Sequence, residues 1–413
     1  MILYLFLAIV LIILMCVAYI RLKFKFWADQ PVMHFYDVQY WFKNKGIIDL
    51  LLPEKNKYCN FKNILTREYS TVSEIQLTTF INLVQNNYLR NKDNMFLPLK
   101  ENIVPYFTSH SAPCFWTFYW EEAFIQHAKD GSIVKDRQLI GAMTSRPLNI
   151  VFHNGDKNAR LTAYYVDYLC VDRRHRKKGI APEIIQTHEY NQRHSNKKVS
   201  VSLFKREEEL TGIIPMCFYQ TVAFSMKGWC KPSELEAGIT VVKCGKENIA
   251  HLIPLIFGTK EENTETQYNN TSLFEITILP ELGNLMELIK TENMFVFMLI
   301  QGDNIIGAYF FRKTCLFIEK GAEALALVAS IYNPEFGPLK EEFVHGYKIA
   351  LADICTSPGS TYKYAVVENI SHNNLIIDNL MIRNKPYITS PTAYFFYNFA
   401  HSTFQANQVL LIC

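Results

Sequence analysis

The chain has 413 residues, is 49% hydrophobic and 14% aromatic, and sets 42 Lys and Arg against 39 Asp and Glu, a formal charge of +3. That composition supports a large folded core and excludes a disordered chain, while the near balance of charge excludes a general polyanion binder and gives basic clusters only local meaning. The 10 cysteines are scattered without a Cys-x-x-Cys pair, which argues against zinc-ribbon and thioredoxin-like patterns, so no metal site is expected.

Residues 1–20, MILYLFLAIVLIILMCVAYI, carry no charged side chain. As a helix they would reach about 30 Å, the thickness of a bilayer core. Arg21, Lys23 and Lys25 follow at once, whereas a signal peptide places its charge before the apolar run. An uncleaved N-terminal anchor is therefore expected, with everything after it on the cytosolic side by the positive-inside rule. The competing reading is a signal peptide leading to a secreted domain.

Helical spacing of apolar residues predicts a helix over residues 72–88. The stretch DRQLIGAMTSRPLNIVF, residues 136–152, reads as two strands meeting near Gly141, and LTAYYVDYLCV, residues 161–171, as another. APEIIQTHEYNQRH, residues 181–194, reads as a helix and KKVSVSLF as the next strand. This is a strand, strand, basic turn, helix, strand unit of an α/β protein. WCKPSELEAG, residues 229–238, is the best linker. Beyond it ITVVKCGKENIAHLIPLIF reads as strand then helix, and VFMLIQGDNIIGAYFF as a hairpin whose D-N-I-I-G-A echoes the earlier D-R-Q-L-I-G-A. Two related halves, residues 21–230 and 231–413, are the expected organisation behind the anchor.

The turn between strand and helix, Arg176-Lys177-Lys178-Gly179-Ile180-Ala181, fits R-x-x-G-x-A. The first N–H groups of a helix have no internal partner and the helix dipole adds positive character there. Gly179 lets a ligand approach the backbone, Pro182 suits the first helical turn, and the cationic side chains can hold outlying phosphates. A pyrophosphate carrier with a further phosphate, such as coenzyme A, satisfies these features. A plain solvated basic turn remains the alternative. A nucleic-acid site lacks a second basic stripe.

Several of these segments together resemble the protein N-myristoyltransferases, glycylpeptide acyltransferases built from two acetyltransferase-like (GNAT) halves. VDYLCVDRRHRKKGIAPEII resembles that family's strand, basic turn and helix; FWADQPV its F-W-x-x-Q-P-V segment; NNYLRNKDNMF its N-Y-x-x-x-D-N-M-F stretch; TSRPLNI its S-x-x-P-x-N-I strand; and TAYFFYNFAHSTFQANQVLLIC its ending. The similarity runs from about residue 26 to 413, more loosely in the second half. It implies an α/β fold with mixed sheets, a two-lobed saddle behind one transmembrane helix, and acting as a monomer without a nucleic-acid partner.

It also implies a reaction: a long acyl group, myristoyl in the family, passes from acyl-CoA to the N-terminal glycine amine of a protein. The oxyanion donors map onto the backbone N–H groups of Tyr168 and Leu169, and the base onto the α-carboxylate of Cys413 rather than its thiol. Coenzyme A contacts carry over to Phe26, Trp27 and Tyr88, to Tyr168, Leu169, Cys170 and Val171, and to Arg176, Lys177, Lys178, Gly179, Ile180 and Ala181. On the acceptor side Asp93, Phe96 and Tyr219 match, while Thr221 stands where the family has histidine. Only Asp93 remains of an acidic cluster, so the acyl-CoA machinery reads as retained and the peptide groove as rebuilt. A different acyl chain or amine acceptor, or an inactive acyl-CoA- or peptide-binding relative, are the alternatives.

Overall fold

The computed structural model describes residues 2–42, 45–89, 94–126, 133–154, 157–207, 212–258, 272–319 and 321–413. Strands dominate because runs of β-branched and aromatic residues recur between turn residues. Among the described residues, 15 strands join one sheet. In chain order they are β1 (Ile64–Glu68), β2 (Met95–Phe96), β3 (Phe115–Gln126), β4 (Ile133–Asn154) and β5 (Lys157–Val171). Then come β6 (Val201–Glu207), β7 (Cys217–Ser225), β8 (Ile239–Lys243), β9 (Ile276–Leu279) and β10 (Met294–Gln301). The last are β11 (Asn304–Glu319), β12 (Ala322–Tyr332), β13 (Tyr362–Glu368), β14 (Ile388–Tyr397) and β15 (Val409–Leu411). The spatial order is β15-β9-β4-β5-β6-β14-β7-β13-β12-β11-β10-β8, with β3 also on β4, β1 on β3 and β2 on β11.

The five longest helices are α1 (Ile2–Lys23), α2 (Glu74–Asn87), α3 (Ile180–Ser195), α4 (Lys340–Thr356) and α5 (Asn373–Arg383). One pattern occurs twice. The antiparallel pair β4–β5 is followed by α3 and then by β6, parallel to β5; the pair β11–β12 is followed by α4 and then by β13, parallel to β12. A parallel pair needs such a crossover, and a helix supplies it. Strand β7, which follows the first unit, pairs with β13 of the second, and β14, which follows the second, pairs with β6 of the first. The sheet is thereby continuous through the middle. Strand β12 is buried at every position, as a central strand covered on both faces must be.

Most expected elements are present. The helix expected over residues 72–88 is α2, set by a capping box in which Ser73 and Gln76 bond reciprocally. The two strands expected around Gly141 are one, β4, because a register shift opposite β3 absorbs the glycine without ending the strand. Helix α1 is long and apolar enough to cross a bilayer, and none of its apolar window is buried against the body.

Helix α3 lies against β3 and β4 through Ile184 and a polar set at its centre. His188, wholly enclosed, bonds through Nδ1 to Thr117 Oγ1 at 2.8 Å and through Nε2 to Ser145 Oγ at 2.9 Å. Burial lowers its pKa from 6.5 to about 4. The group stays neutral in the fold but charges readily in the unfolded chain. Its contribution is therefore present above pH 6.5 and lost as pH falls towards 4, by about 3 kcal/mol for a shift of this size. Chemical unfolding of His188→Gln between those pH values is expected to show that much less acid sensitivity than the parent chain.

Candidate active site

Strands β5 and β6 run side by side only from Ala163 opposite Val201 to Val166 opposite Phe204. Beyond that pair β5 continues to Val171 without β6 beside it, and the two diverge. On its other edge β5 is irregular: Asp167 faces Thr144 and Cys170 faces Ala142, so two residues of β5, Tyr168 and Leu169, stand against Met143 alone. This is a β-bulge, and Tyr168 takes a positive φ of 51° within it. The two residues expected to offer backbone N–H groups are thus the two without ladder partners on β4. The Tyr168 N–H donates to Oδ1 of Asp167 at 2.8 Å, and Leu169 is exposed on the cavity beside it.

That cavity, about 580 Å³, is lined by Tyr88, Leu169, Cys170, Val171, Arg176, Lys177, Gly179, Ile180 and Ala181, together with Asn87, Leu89, His175 and Pro182. Bulge, basic turn and helix start therefore open onto one space, large enough for part of a cofactor. Gly179 is the N-cap of α3 at φ 84°, and Lys177 also has a positive φ of 64°. Alternating backbone hands of this kind point successive N–H groups into one concavity and suit an anion. The N–H groups of Ile180 and Ala181 add the helix terminus to it.

The basic side chains divide by task. Arg176 reaches back to the carbonyls of Val171, at 3.3 Å, and Asn87, at 2.7 Å, fastening the turn to the end of α2. Arg174 pairs with Asp172 at 2.9 Å and His175 approaches Glu121 at 3.0 Å. Lys177 and Lys178 are exposed, and no ion pair holds them among the described residues. Tyr88, the C-cap of α2, meets Tyr168 and Phe96 with ring centroids 5.7 and 5.4 Å away. Burial pushes the Cys170 thiol up to about 12, leaving it inert.

Phe26 and Trp27 do not line this cavity. Trp27 stacks on Phe204 of β6 at 5.4 Å, Phe26 meets Tyr58 edge-on at 5.1 Å, and Gln30 accepts from the Tyr397 hydroxyl at 2.7 Å. This segment locks the chain after α1 onto β6 and β14. Asp93 lies outside the described residues.

Cys413 is wholly buried at the end of β15. Arg312 of β11 donates from Nη1 to its main-chain oxygen at 2.9 Å, and Tyr394 lies 3.5 Å from its sulfur. Burial raises the thiol pKa, which disfavours a thiolate role. Arg312 Nη2 also lies 3.9 Å from Glu368 Oε1, to which Lys205 bonds at 2.9 Å. The Tyr219 hydroxyl donates to the other oxygen of Glu368. Burial would raise the Glu368 pKa, but Lys205, Arg312 and this hydroxyl outweigh it and hold the carboxyl below its ordinary value. Thr221 stands directly opposite Glu368 in the β7–β13 ladder and bonds Thr392 at 2.8 Å. Asp167 and Arg146 border the same centre. Burial raises Asp167, with Arg146 acting against the rise, and Arg146 lies between the rings of Tyr106 and Tyr165, 5.0 Å from each.

Sequence reasoning overlooked Arg146, Asp167, Lys205, Arg312 and Glu368. Two of them carried a signal, since Asp167 in YYVDYL and Glu368 in AVVEN are single charges inside apolar strand runs, whereas Arg312 and Lys205 have charged neighbours. A charge in such a run is buried, and a buried charge requires partners.

No protein-family model matches the chain, and no curated protein matches it in sequence. Solved structures do match. N-myristoyltransferase from Saccharomyces cerevisiae with bound myristoyl-CoA superposes with a TM-score of 0.69 at 14% identity, covering 94% of this chain and 94% of that one. A second structure of that enzyme gives 0.67 at 14% identity over 92% and 94%. A tandem GNAT protein from the clavulanic acid biosynthesis pathway gives 0.51 at 10% identity over 83% of this chain and 100% of that one. The chain thus has the N-myristoyltransferase fold, two acetyltransferase-like halves in one sheet, with an apolar helix ahead of it.

Proposed function

We propose that this chain is an acyl-CoA-dependent N-acyltransferase, moving a long acyl group, myristoyl in the first instance, to the N-terminal glycine amine of a protein. The observation that carries this reading is the single cavity shared by the β5 bulge, the basic turn and the start of α3. Lys177, Lys178 and the α3 terminus would hold phosphates. The pantetheine arm would enter where β5 leaves β6, and the thioester carbonyl would meet the N–H groups of Tyr168 and Leu169. As the amine attacks, charge gathers on that oxygen, and each well-placed donor is worth about 2.7–4 kcal/mol.

The α-amine, with an ordinary pKa near 8, must lose a proton before it attacks. The Cys413 carboxylate, kept in place by Arg312, would take it. Phe96, Tyr219, Thr221 and Asp93 are the proposed acceptor contacts. Helix α1 would fix the body at the cytosolic face of a membrane, where a single myristoyl chain, only marginally membrane-binding by itself, can insert on release.

The test is incubation of the full chain, in detergent or vesicles, with radiolabelled myristoyl-CoA and peptides beginning with glycine. Acylation of a subset, blocked by N-terminal acetylation of the peptide, is expected; binding of myristoyl-CoA without transfer to any peptide would refute it. The cradle has its own test. Charge reversal at Lys177 and Lys178 together is expected to weaken acyl-CoA about 10-fold, or 1.4 kcal/mol, and less so in high salt. Calorimetric titration at two ionic strengths checks both.

A further inference from the structure

We infer that Asp167 is a switch on the oxyanion donor: its carboxylate holds the Tyr168 N–H and passes to Arg146 when a thioester oxygen takes that N–H. This rests on the acyl-transfer reading above and concerns how the site becomes competent.

The first observation is the bond itself. Oδ1 of Asp167 accepts from Tyr168 N at 2.8 Å. The carboxylate therefore occupies the direction from which an acyl oxygen would accept the same hydrogen. An ionised carboxylate beside a developing oxyanion also repels it. The donor cannot serve both groups at once, so catalysis requires the side chain to leave.

The second observation shows where it can go. Arg146 is 1% exposed, and its Nε and Nη1 atoms have no hydrogen-bond acceptor among the described residues. Two idle donors on a wholly buried guanidinium are unfavourable, since buried polar groups are nearly always paired. The register places the remedy alongside. Arg146 faces Tyr165 across the β4–β5 ladder, and Asp167 lies two residues further along β5. The two side chains are diagonal neighbours on one face, a separation that a long side chain spans. Arg146 already acts electrostatically on Asp167, yet no ion pair joins them among the described residues. One rotation of the Asp167 side chain would release the amide and satisfy the arginine together. The bulge makes the exchange local, because Tyr168 has no ladder partner on β4 to lose. No bond to carbon forms or breaks in this step.

The experiment is a double-variant cycle in the full chain, read by single-turnover acyl transfer. Arg146→Met removes the guanidinium with idle donors and so favours the carboxylate on the amide, and kcat is expected to fall at least about 10-fold, part of what loss of an oxyanion donor costs. Adding Asp167→Ala removes the cap and should restore most of the loss, the non-additivity expected of groups acting as one. Additive losses would overturn the switch. A second readout does not depend on turnover. In tyrosine-labelled protein, the Tyr168 amide resonance, assigned by its loss in Tyr168→Phe, should move on adding myristoyl-CoA without acceptor, towards its position in Asp167→Ala. Acyl-CoA binding with an unmoved resonance would overturn the switch alone. Failure of the parent chain to bind acyl-CoA would overturn the acyl-transfer reading and the switch with it.

Discussion

Adding a single alanine after Cys413 is expected to lower kcat for acyl transfer about 100-fold while leaving the affinity for acyl-CoA unchanged. The size follows from how steeply rates depend on placement, since a displacement of about 1 Å at a reacting group can cost that factor. Cys413 is wholly buried and its main-chain oxygen is 2.9 Å from Arg312 Nη1. An extra residue has no room there, so the carboxylate must leave the position from which it would take the amine proton. The cavity of the basic turn is built from β5, α3 and the end of α2 and does not include the terminus. Binding and turnover should therefore separate. Steady-state kinetics with calorimetric binding checks this, and a fully active extended chain would place the base elsewhere.

Replacing Arg312 with methionine is expected to destabilise the fold by about 3–5 kcal/mol and to abolish transfer. Arg312 stands between the Cys413 terminus and Glu368 and is the cation that reaches both. Burial works against its charge, but Tyr106, Glu368, Tyr394 and Cys413 around it more than compensate and hold its pKa above the ordinary value. Removing one partner of a buried ionic group leaves the others uncompensated, the source of the 3–5 kcal/mol. Glu368 retains Lys205 at 2.9 Å, so the Cys413 main-chain oxygen is the group left most exposed to the loss. Denaturant unfolding measures the stability term. Neutralising Glu368 in the same chain, Arg312→Met with Glu368→Gln, should recover part of it, because the two act on one network. A loss below about 1 kcal/mol would mean that water screens the cluster as it does a surface pair.

The local half of the site was readable because its chemistry follows chain order. A strand, then Arg176-Lys177-Lys178-Gly179, then a helix start is a contiguous signal, to which the helix terminus adds unpaired backbone N–H groups. Tyr168 and Leu169 were singled out only through resemblance, and the bulge they form was not expected. Nothing in YLCV as a string says that Tyr168 and Leu169 lack partners on β4; the register with Ala142 and Thr144 decides it. Phe26 and Trp27 entered through the same resemblance as coenzyme A contacts, and only the structure shows that Trp27 packs on Phe204 and Phe26 on Tyr58.

By itself the sequence determined the elements and their kinds: an uncharged apolar helix at the start, apolar strands with two hairpins, and a glycine turn poised at a helix terminus. These depend on interactions over a few residues, where period, turn chemistry and charge suffice. The tertiary structure alone decided the ionic centre. Lys205, Arg312 and Glu368 are far apart in the chain and come within ion-pair distance because β14 and β7 cross between the halves of one sheet. Whether a lone charge in an apolar strand is buried against its opposite depends on which strand lies beside it, and strand order is fixed by packing across the whole sheet rather than by any local run of residues.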